Sequence, residues 1–122
     1  MTVLQGLRVL IVEDEFLLAM SLEDDLRSAG CAPIGPFANL ADATQATRRE
    51  EFDLAILDVN LNGQVIYPLA EELLSRAKPF VLLTGYGAES LPHHFRSLPR
   101  LSKPYDLASL VKEIGRALPR AG

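Results

Sequence analysis

The sequence predicts an α/β domain built on a parallel sheet with helices on both faces. Two kinds of apolar segment alternate along the chain: short continuous runs of Val, Ile, Leu and Phe, and longer stretches with apolar residues at helical spacing. Continuous apolar runs are typical of strands covered on both faces. Because right-handed crossovers place each helix against the sheet, this alternation predicts a doubly wound fold.

Five segments can form strands, and two of them are predicted to lie at the edges of the sheet. The candidate strands are residues 7–12, 32–37, 54–57, 80–83 and 100–102. The second contains Pro33 and Pro36, and the fifth is short and followed by Pro104. Proline removes a ladder hydrogen bond and is tolerated at sheet edges. A flavodoxin-like five-stranded sheet with the order 2-1-3-4-5 satisfies both placements.

Helical periods fill the segments between the strands. The first helix has an apolar stripe formed by Leu18, Leu22 and Leu26, and Gly30 is placed to end it. Asn39 can cap a second helix that runs to about residue 50, and 65–77 is predicted to be a third, with Pro68 in its first turn. The last helix has a stripe formed by Leu107, Leu110, Val111, Ile114 and Leu118. Between the fourth and fifth strands, Pro92 and flanking Gly and Pro residues predict a short or irregular helix.

The composition is that of one ordinary folded domain. The chain has 122 residues, 12 Lys and Arg against 16 Asp and Glu, a net charge of −4 and 48% hydrophobic residues. This length supports one core, which excludes a two-domain enzyme. The lack of a basic cluster argues against direct nucleic-acid binding, and no apolar run approaches the ~20 residues of a membrane span. The single cysteine, Cys31, cannot form an internal disulfide, which favours a reducing, cytoplasmic setting.

Polar residues follow four of the predicted strands. Strand 1 runs into Glu13 and Asp14, strand 3 into Asp58, strand 4 into Thr84 and strand 5 into Lys103. The carboxyl ends of parallel strands lie at one edge of the sheet, so these side chains should converge on one pocket. Three neighbouring carboxylates repel one another, and Mg²⁺ is a suitable counter-ion for such a site. Mg²⁺ and one lysine would leave the pocket neutral and able to receive a phosphoryl group.

This constellation resembles the receiver domain of two-component response regulators (CheY-like). The matching stretches are 12–15, 56–63, 84–85 and 103–104, and the resemblance covers about residues 7–118. It implies that 1–122 is a single receiver domain with no output domain. It also implies a cis peptide bond between Lys103 and Pro104.

The resemblance assigns a role to each pocket residue. Asp58 is expected to accept the phosphoryl group, Asp14 to bind Mg²⁺ directly, Glu13 to bind it mostly through water, and Asn60 to contribute its backbone carbonyl. Two further residues are expected to hold phosphoryl oxygens, namely Thr84 through its hydroxyl and Lys103 through its ammonium group.

Two positions depart from the usual receiver pattern. Arg100 stands where most receivers have the aromatic residue of a threonine–aromatic switch; it could reach the phosphoryl group, pair with an acid, or be solvated at the edge strand. The run 79–86, of the form PFxxxTGY, resembles a subgroup of stand-alone proteobacterial receivers without a switch aromatic. Tyr86 in this run is either a gate beside the site or an exposed loop tyrosine.

The function implied by the resemblance is phosphoryl acceptance from a histidine kinase or a histidine phosphotransfer protein. The chain would catalyse its own phosphorylation and slow dephosphorylation, without being a multiple-turnover enzyme, and would signal to an unknown downstream protein or onward relay. Two alternatives remain. A Mg²⁺-dependent phosphohydrolase with an aspartyl-phosphate intermediate commonly has a second acid two residues after the nucleophile, where this chain has Asn60. A degenerate docking module would lack one of the pocket residues.

Overall fold

The computed structural model describes residues 4–85 and 90–119, and these residues include seven strands and four α-helices. The strands are β1 (Arg8–Val12), β2 (Ala32–Phe37), β3 (Leu54–Asp58), β4 (Asn60–Leu61), β5 (Gln64–Val65), β6 (Phe80–Thr84) and β7 (Arg100–Ser102). The helices are α1 (Phe16–Ser28), α2 (Leu40–Arg49), α3 (Tyr67–Ser75) and α4 (Leu107–Ala117). None of the helices in these residues is long and apolar enough to cross a membrane.

The main sheet has five parallel strands in the order β2-β1-β3-β6-β7. The predicted flavodoxin-like topology is therefore confirmed, with the two proline-flanked strands at the edges. Pro36 and Pro104 both follow cis peptide bonds, the second of which was expected from the resemblance.

The core consists of two apolar layers, one on each face of the sheet. Successive residues of β1 alternate between them: Leu10 and Val12 pack in the layer beneath α2 and α3, and Val9 and Ile11 pack in the layer beneath α1 and α4. All four side chains are fully buried. The carboxyl ends of the central strands are thus held rigidly in place.

The end of α1 and the start of α2 lie at the capping residues identified in the sequence. The Oδ1 atom of Asn39 accepts a hydrogen bond of 2.8 Å from the backbone N–H of Asp42 at the start of α2. Gly30 follows α1 with φ +91°, a left-handed conformation that glycine adopts without strain. Over the described residues 90–99, the connection from β6 to β7 contains a short 3₁₀ helix, His93–Phe95, and no α-helix, in agreement with the predicted irregularity.

One element was not predicted. Residues 60–65 form an antiparallel hairpin, in which Asn60 pairs with Val65 and Leu61 with Gln64, and α3 begins at Tyr67 rather than at residue 65. The turn residues Asn62 and Gly63 have φ of +50° and +90°. Positive φ at both central positions defines the type I′ turn, for which Asn-Gly is a preferred sequence.

Candidate functional site

The polar residues at the strand ends line one open cavity of about 570 Å³. Glu13 and Asp14 follow β1, Asp58 ends β3, and Lys103 follows β7. The other lining residues come from the loop after β1, the β4–β5 hairpin and the end of β6: Glu15, Asn60, Asn62, Gly63 and Gly85. The sheet order therefore brings together residues that are up to 90 positions apart in the sequence.

Three carboxylates form the acidic part of the site. One oxygen from each of Glu13, Asp14 and Asp58 lies within 4.8 Å of the others. Glu13 and Asp58 are only 2% and 5% exposed, whereas Asp14 faces solvent. Oxygen ligands with one solvent-facing side suit Mg²⁺, which usually retains several waters. The donor set thus fits the cation that the sequence predicted.

Lys103 joins two of these carboxylates. Its Nζ atom lies 3.1 Å from Glu13 Oε1 and 3.1 Å from Asp58 Oδ2. Burial lowers the pKa of Lys103, but its hydrogen bonds to Asp58 and Glu13 and their charges outweigh this effect, so the net pKa is raised. The backbone N–H of Lys103 donates to Thr84 O over 2.9 Å, which holds the lysine at the site edge of the sheet. Lys103 is therefore a fixed cation at neutral pH.

Negative charge still exceeds positive charge around Glu13. Burial and the neighbouring Asp58 raise the pKa of Glu13 to about 7, although the N–H of Glu15 and the ammonium group of Lys103 oppose the shift. A carboxyl with this pKa is partly protonated at neutral pH. A cation in the cavity would favour the ionised form of this carboxyl.

Both oxygens of Asp58 are held by hydrogen bonds. Oδ2 accepts from Lys103 Nζ, and Oδ1 accepts from the backbone N–H of Asn60 at 3.2 Å. The orientation of the carboxylate is thus set by one residue from β7 and one from the hairpin that follows β3. Such positioning is what a side chain needs if it is to attack a phosphorus atom in line.

Two other residues predicted for the site, Thr84 and Arg100, are not among the residues that line the acidic cavity. Thr84 is buried at the end of β6, paired with Ser102, and its neighbour Gly85 lines the cavity. Arg100 is outside the acidic cavity, because its Nη1 donates to Arg96 O over 2.6 Å and the residue lines a separate cavity beside α4. Tyr86 lies outside the described residues, so its role as a gate stays a prediction.

The contribution of the hairpin to the cavity wall was not predicted. Asn62 and Gly63 line the site, and their dipeptide is a recognisable turn signal. The two-residue strands on either side are too short to produce a visible alternation of apolar and polar residues.

A doubly wound sheet with polar residues gathered at its strand ends places this chain in the class of α/β proteins whose functional pocket lies at the topological switch point of the sheet. The chain belongs to the response regulator receiver domain family, which matches residues 9–115. Receiver domains bind Mg²⁺ at this acidic pocket. The assignment of 1–122 to one domain and of 79–86 to a particular subgroup stay predictions.

Similar proteins support the family assignment. The transcriptional regulatory protein PdtaR of Mycobacterium tuberculosis is 32% identical over 117 residues, which cover 93% of this chain and 57% of that protein. The chain thus spans just over half the length of this relative. The solution structure of SdrG from Sphingomonas melonis Fr1 is 40% identical, with a TM-score of 0.81, and covers 94% of this chain and 97% of that one. The BeF3-activated conformation of SdrG from Pseudomonas melonis Fr1 has 40% identity and a TM-score of 0.78, over 90% and 95% of the two chains.

Proposed function

We propose that this chain accepts a phosphoryl group on Asp58 in a Mg²⁺-dependent reaction and thereby acts as the phosphorylated switch of a two-component system or phosphorelay. The observation that carries the proposal is the environment of Asp58. Its carboxylate is nearly buried, is oriented at both oxygens, and lies within 4.8 Å of two further acids and 3.1 Å from a lysine.

The phosphodonor would be a phosphohistidine on a histidine kinase or a histidine phosphotransfer protein. A carboxylate is a weak nucleophile, but the P–N bond of a phosphohistidine is a high-energy bond. In the reaction this bond breaks, a P–O bond to Asp58 forms, and the imidazole of the donor leaves. The receiver residues need only position the carboxylate and neutralise the phosphoryl oxygens. The ammonium group of Lys103, which already contacts Asp58 Oδ2, would bind one oxygen of the transferred phosphoryl group. The hydroxyl of Thr84 is proposed to bind another phosphoryl oxygen.

The residues proposed to hold Mg²⁺ are Asp14, Glu13, Asp58 and the backbone carbonyl of Asn60. When bound, the ion would neutralise charge on the carboxylates and on the incoming phosphoryl oxygens. Three carboxylates, one ammonium group and one dication sum to zero charge. This balance supports a site that can receive an anionic group without net repulsion.

We further propose that the chain is not a multiple-turnover phosphatase. We also propose that it works in the cytoplasm and that its partners are proteins rather than nucleic acids. Asn60 occupies the position where aspartyl-phosphate hydrolases commonly have an acid. Its Oδ1 atom accepts a hydrogen bond from Gly63 N at 2.8 Å, so the side chain is engaged in the hairpin turn. The unpaired Cys31 fits a reducing compartment.

Incubation with acetyl phosphate and Mg²⁺, followed by intact-mass spectrometry, tests the proposal. We expect a gain of one phosphoryl group per chain that is lost in Asp58→Asn. Asp24→Asn is the matched control, because it makes the same chemical change on the exposed surface of α1 and should leave the gain intact. Retention of the phosphoryl group by Asp58→Asn, no gain in the wild type, or release of many phosphates per chain would each contradict the proposal.

A further inference from the structure

The β4–β5 hairpin lies between the proposed phosphoacceptor and α3, and most of its surface faces solvent. Of its six residues, only Leu61 is buried. An isolated two-stranded hairpin is marginally stable in water. Leu61 is thus the one side chain that the hairpin adds to the core, whereas Asn60, Asn62 and Gly63 line the acidic cavity.

Two hydrogen bonds tie the hairpin into a defined shape. Within the turn, Asn60 Oδ1 accepts from the N–H of Gly63 at 2.8 Å. At its base, the N–H of Ile66 donates to Val59 O at 2.9 Å. In an antiparallel ladder, hydrogen-bonded and non-hydrogen-bonded residue pairs alternate. Because Val59 and Ile66 are hydrogen-bonded, the next pair, Asn60 and Val65, is a non-hydrogen-bonded pair.

That alternation determines the direction of the Asn60 backbone. In a non-hydrogen-bonded pair, the N–H and C=O of each residue point away from the partner strand. The N–H of Asn60 points to Asp58 Oδ1, 3.2 Å away. Because the N–H and C=O of an extended residue point to the same side, the carbonyl of Asn60 also faces the side of Asp58.

We propose that the β4–β5 hairpin is a positioning element that preorganises the Asn60 carbonyl as a cation ligand, and that Gly63 sets its geometry through the type I′ turn. The inference rests on the proposed Mg²⁺ site and adds residues that do not touch the ion. When a carbonyl already faces the site, cation binding does not have to order it, so binding costs less free energy than it would with a carbonyl on an unsupported loop. Removing such outer support typically weakens metal binding by about 10- to 100-fold.

Gly63→Ala tests the inference, and Gly6→Ala is its matched control. Gly63 has φ +90° and Gly6 has φ +77°, and an added Cβ would meet no atom within 4 Å at either position. Both substitutions therefore introduce backbone strain without a clash. Gly6 precedes β1, at the opposite edge of the sheet from the acidic cavity, so only Gly63→Ala should affect the site. Asn60→Ala is a second variant, which removes the side-chain bond to Gly63 and keeps the backbone carbonyl.

The measurements are the affinity for Mn²⁺ by electron paramagnetic resonance, the affinity for Mg²⁺ by competition, and stability by urea unfolding. We expect the two glycine variants to lose similar stability. The Mn²⁺ dissociation constant should rise about tenfold or more in Gly63→Ala, rise in Asn60→Ala, and stay within about twofold of the wild type in Gly6→Ala.

The outcomes separate this inference from the proposed function. Wild-type affinity in both Gly63→Ala and Asn60→Ala would overturn the positioning role and leave the Mg²⁺ site standing. Equal weakening in Gly63→Ala and Gly6→Ala would also overturn it, because the effect would then reflect general stability. If the wild type binds neither Mn²⁺ nor Mg²⁺, the proposed metal site itself is wrong.

Discussion

Lys103 is the cation that allows two nearly buried carboxylates to lie side by side, so Lys103→Met tests the electrostatics of the site directly. The ammonium group lies 3.1 Å from both Glu13 and Asp58. Methionine retains a flexible apolar side chain of similar length and removes the charge. The perturbation thus changes the charge of the cluster with little change in packing.

The expected loss of stability follows from the burial of the partners. Removing one member of a buried ion pair costs about 3–5 kcal/mol when the remaining charge is left uncompensated. Here Glu13, whose pKa is already raised to about 7 by burial and by Asp58, can take up a proton and limit that cost. The Lys103 side chain is also 23% exposed. We therefore expect Lys103→Met to lower the free energy of unfolding by about 1–3 kcal/mol near pH 8.

The pH dependence provides the discriminating measurement. As the pH falls from about 8 to about 6, Glu13 becomes protonated and one of the two uncompensated charges disappears, so the loss should shrink. Urea unfolding in EDTA at both pH values measures this change, and saturating Mg²⁺ should restore part of the stability. Lys112→Met is the control, because Lys112 is an exposed lysine of α4. A loss that is the same at both pH values, or no larger than that of Lys112→Met, would refute the reasoning.

Three further predictions concern stability in the absence of metal, each checked by urea unfolding. Glu13→Gln should be more stable than the wild type near pH 8 but not near pH 4: because the folded pKa of Glu13 is raised from 4.5 to about 7, the wild type loses stability as the pH rises through that interval. Ala77→Gly should raise the free energy of unfolding by about 0.5–1 kcal/mol, since Ala77 follows α3 with φ +55°, where glycine is unstrained. Asn39→Ala should lower it by about 1 kcal/mol, because Asp42 N loses its capping partner.

The fold and the acidic pocket could be predicted because they depend on features that extend over many residues. Each central strand is a run of four or more apolar residues, and Asp58 and Thr84 stand at the ends of two such runs. Once the strand order is inferred from the prolines, the convergence of the strand ends follows from topology alone. The capping role of Asn39 is a local signal that no distant contact opposes.

Other features depend on contacts that a linear pattern does not encode. The path of residues 96–100 determines that Arg100 donates to the backbone oxygen of Arg96, and no spacing rule specifies a carbonyl partner. In the same way, His94 Nε2 lies 2.5 Å from Glu71 Oε1 of α3, 23 positions away in the sequence. Side-chain partners in irregular segments are therefore decided by tertiary packing.

The charge arrangement links the stability of this domain to the occupancy of its site. Among the described residues, the lining of the acidic cavity includes four acidic side chains and one basic side chain, that of Lys103. Burial and the neighbouring Asp58 together raise the pKa of Glu13, so ionising this carboxyl costs free energy in the folded domain. A ligand that binds only the folded state stabilises it by RT times the logarithm of one plus the ratio of the free ligand concentration to Kd. A dication at this site would also relieve the repulsion among the carboxylates, so its stabilisation should be larger for the wild type than for Glu13→Gln. The clustered carboxylates that lower the stability of the metal-free domain are thus the groups that would bind the cation. A substitution such as Glu13→Gln should therefore raise the stability of the metal-free domain and weaken cation binding.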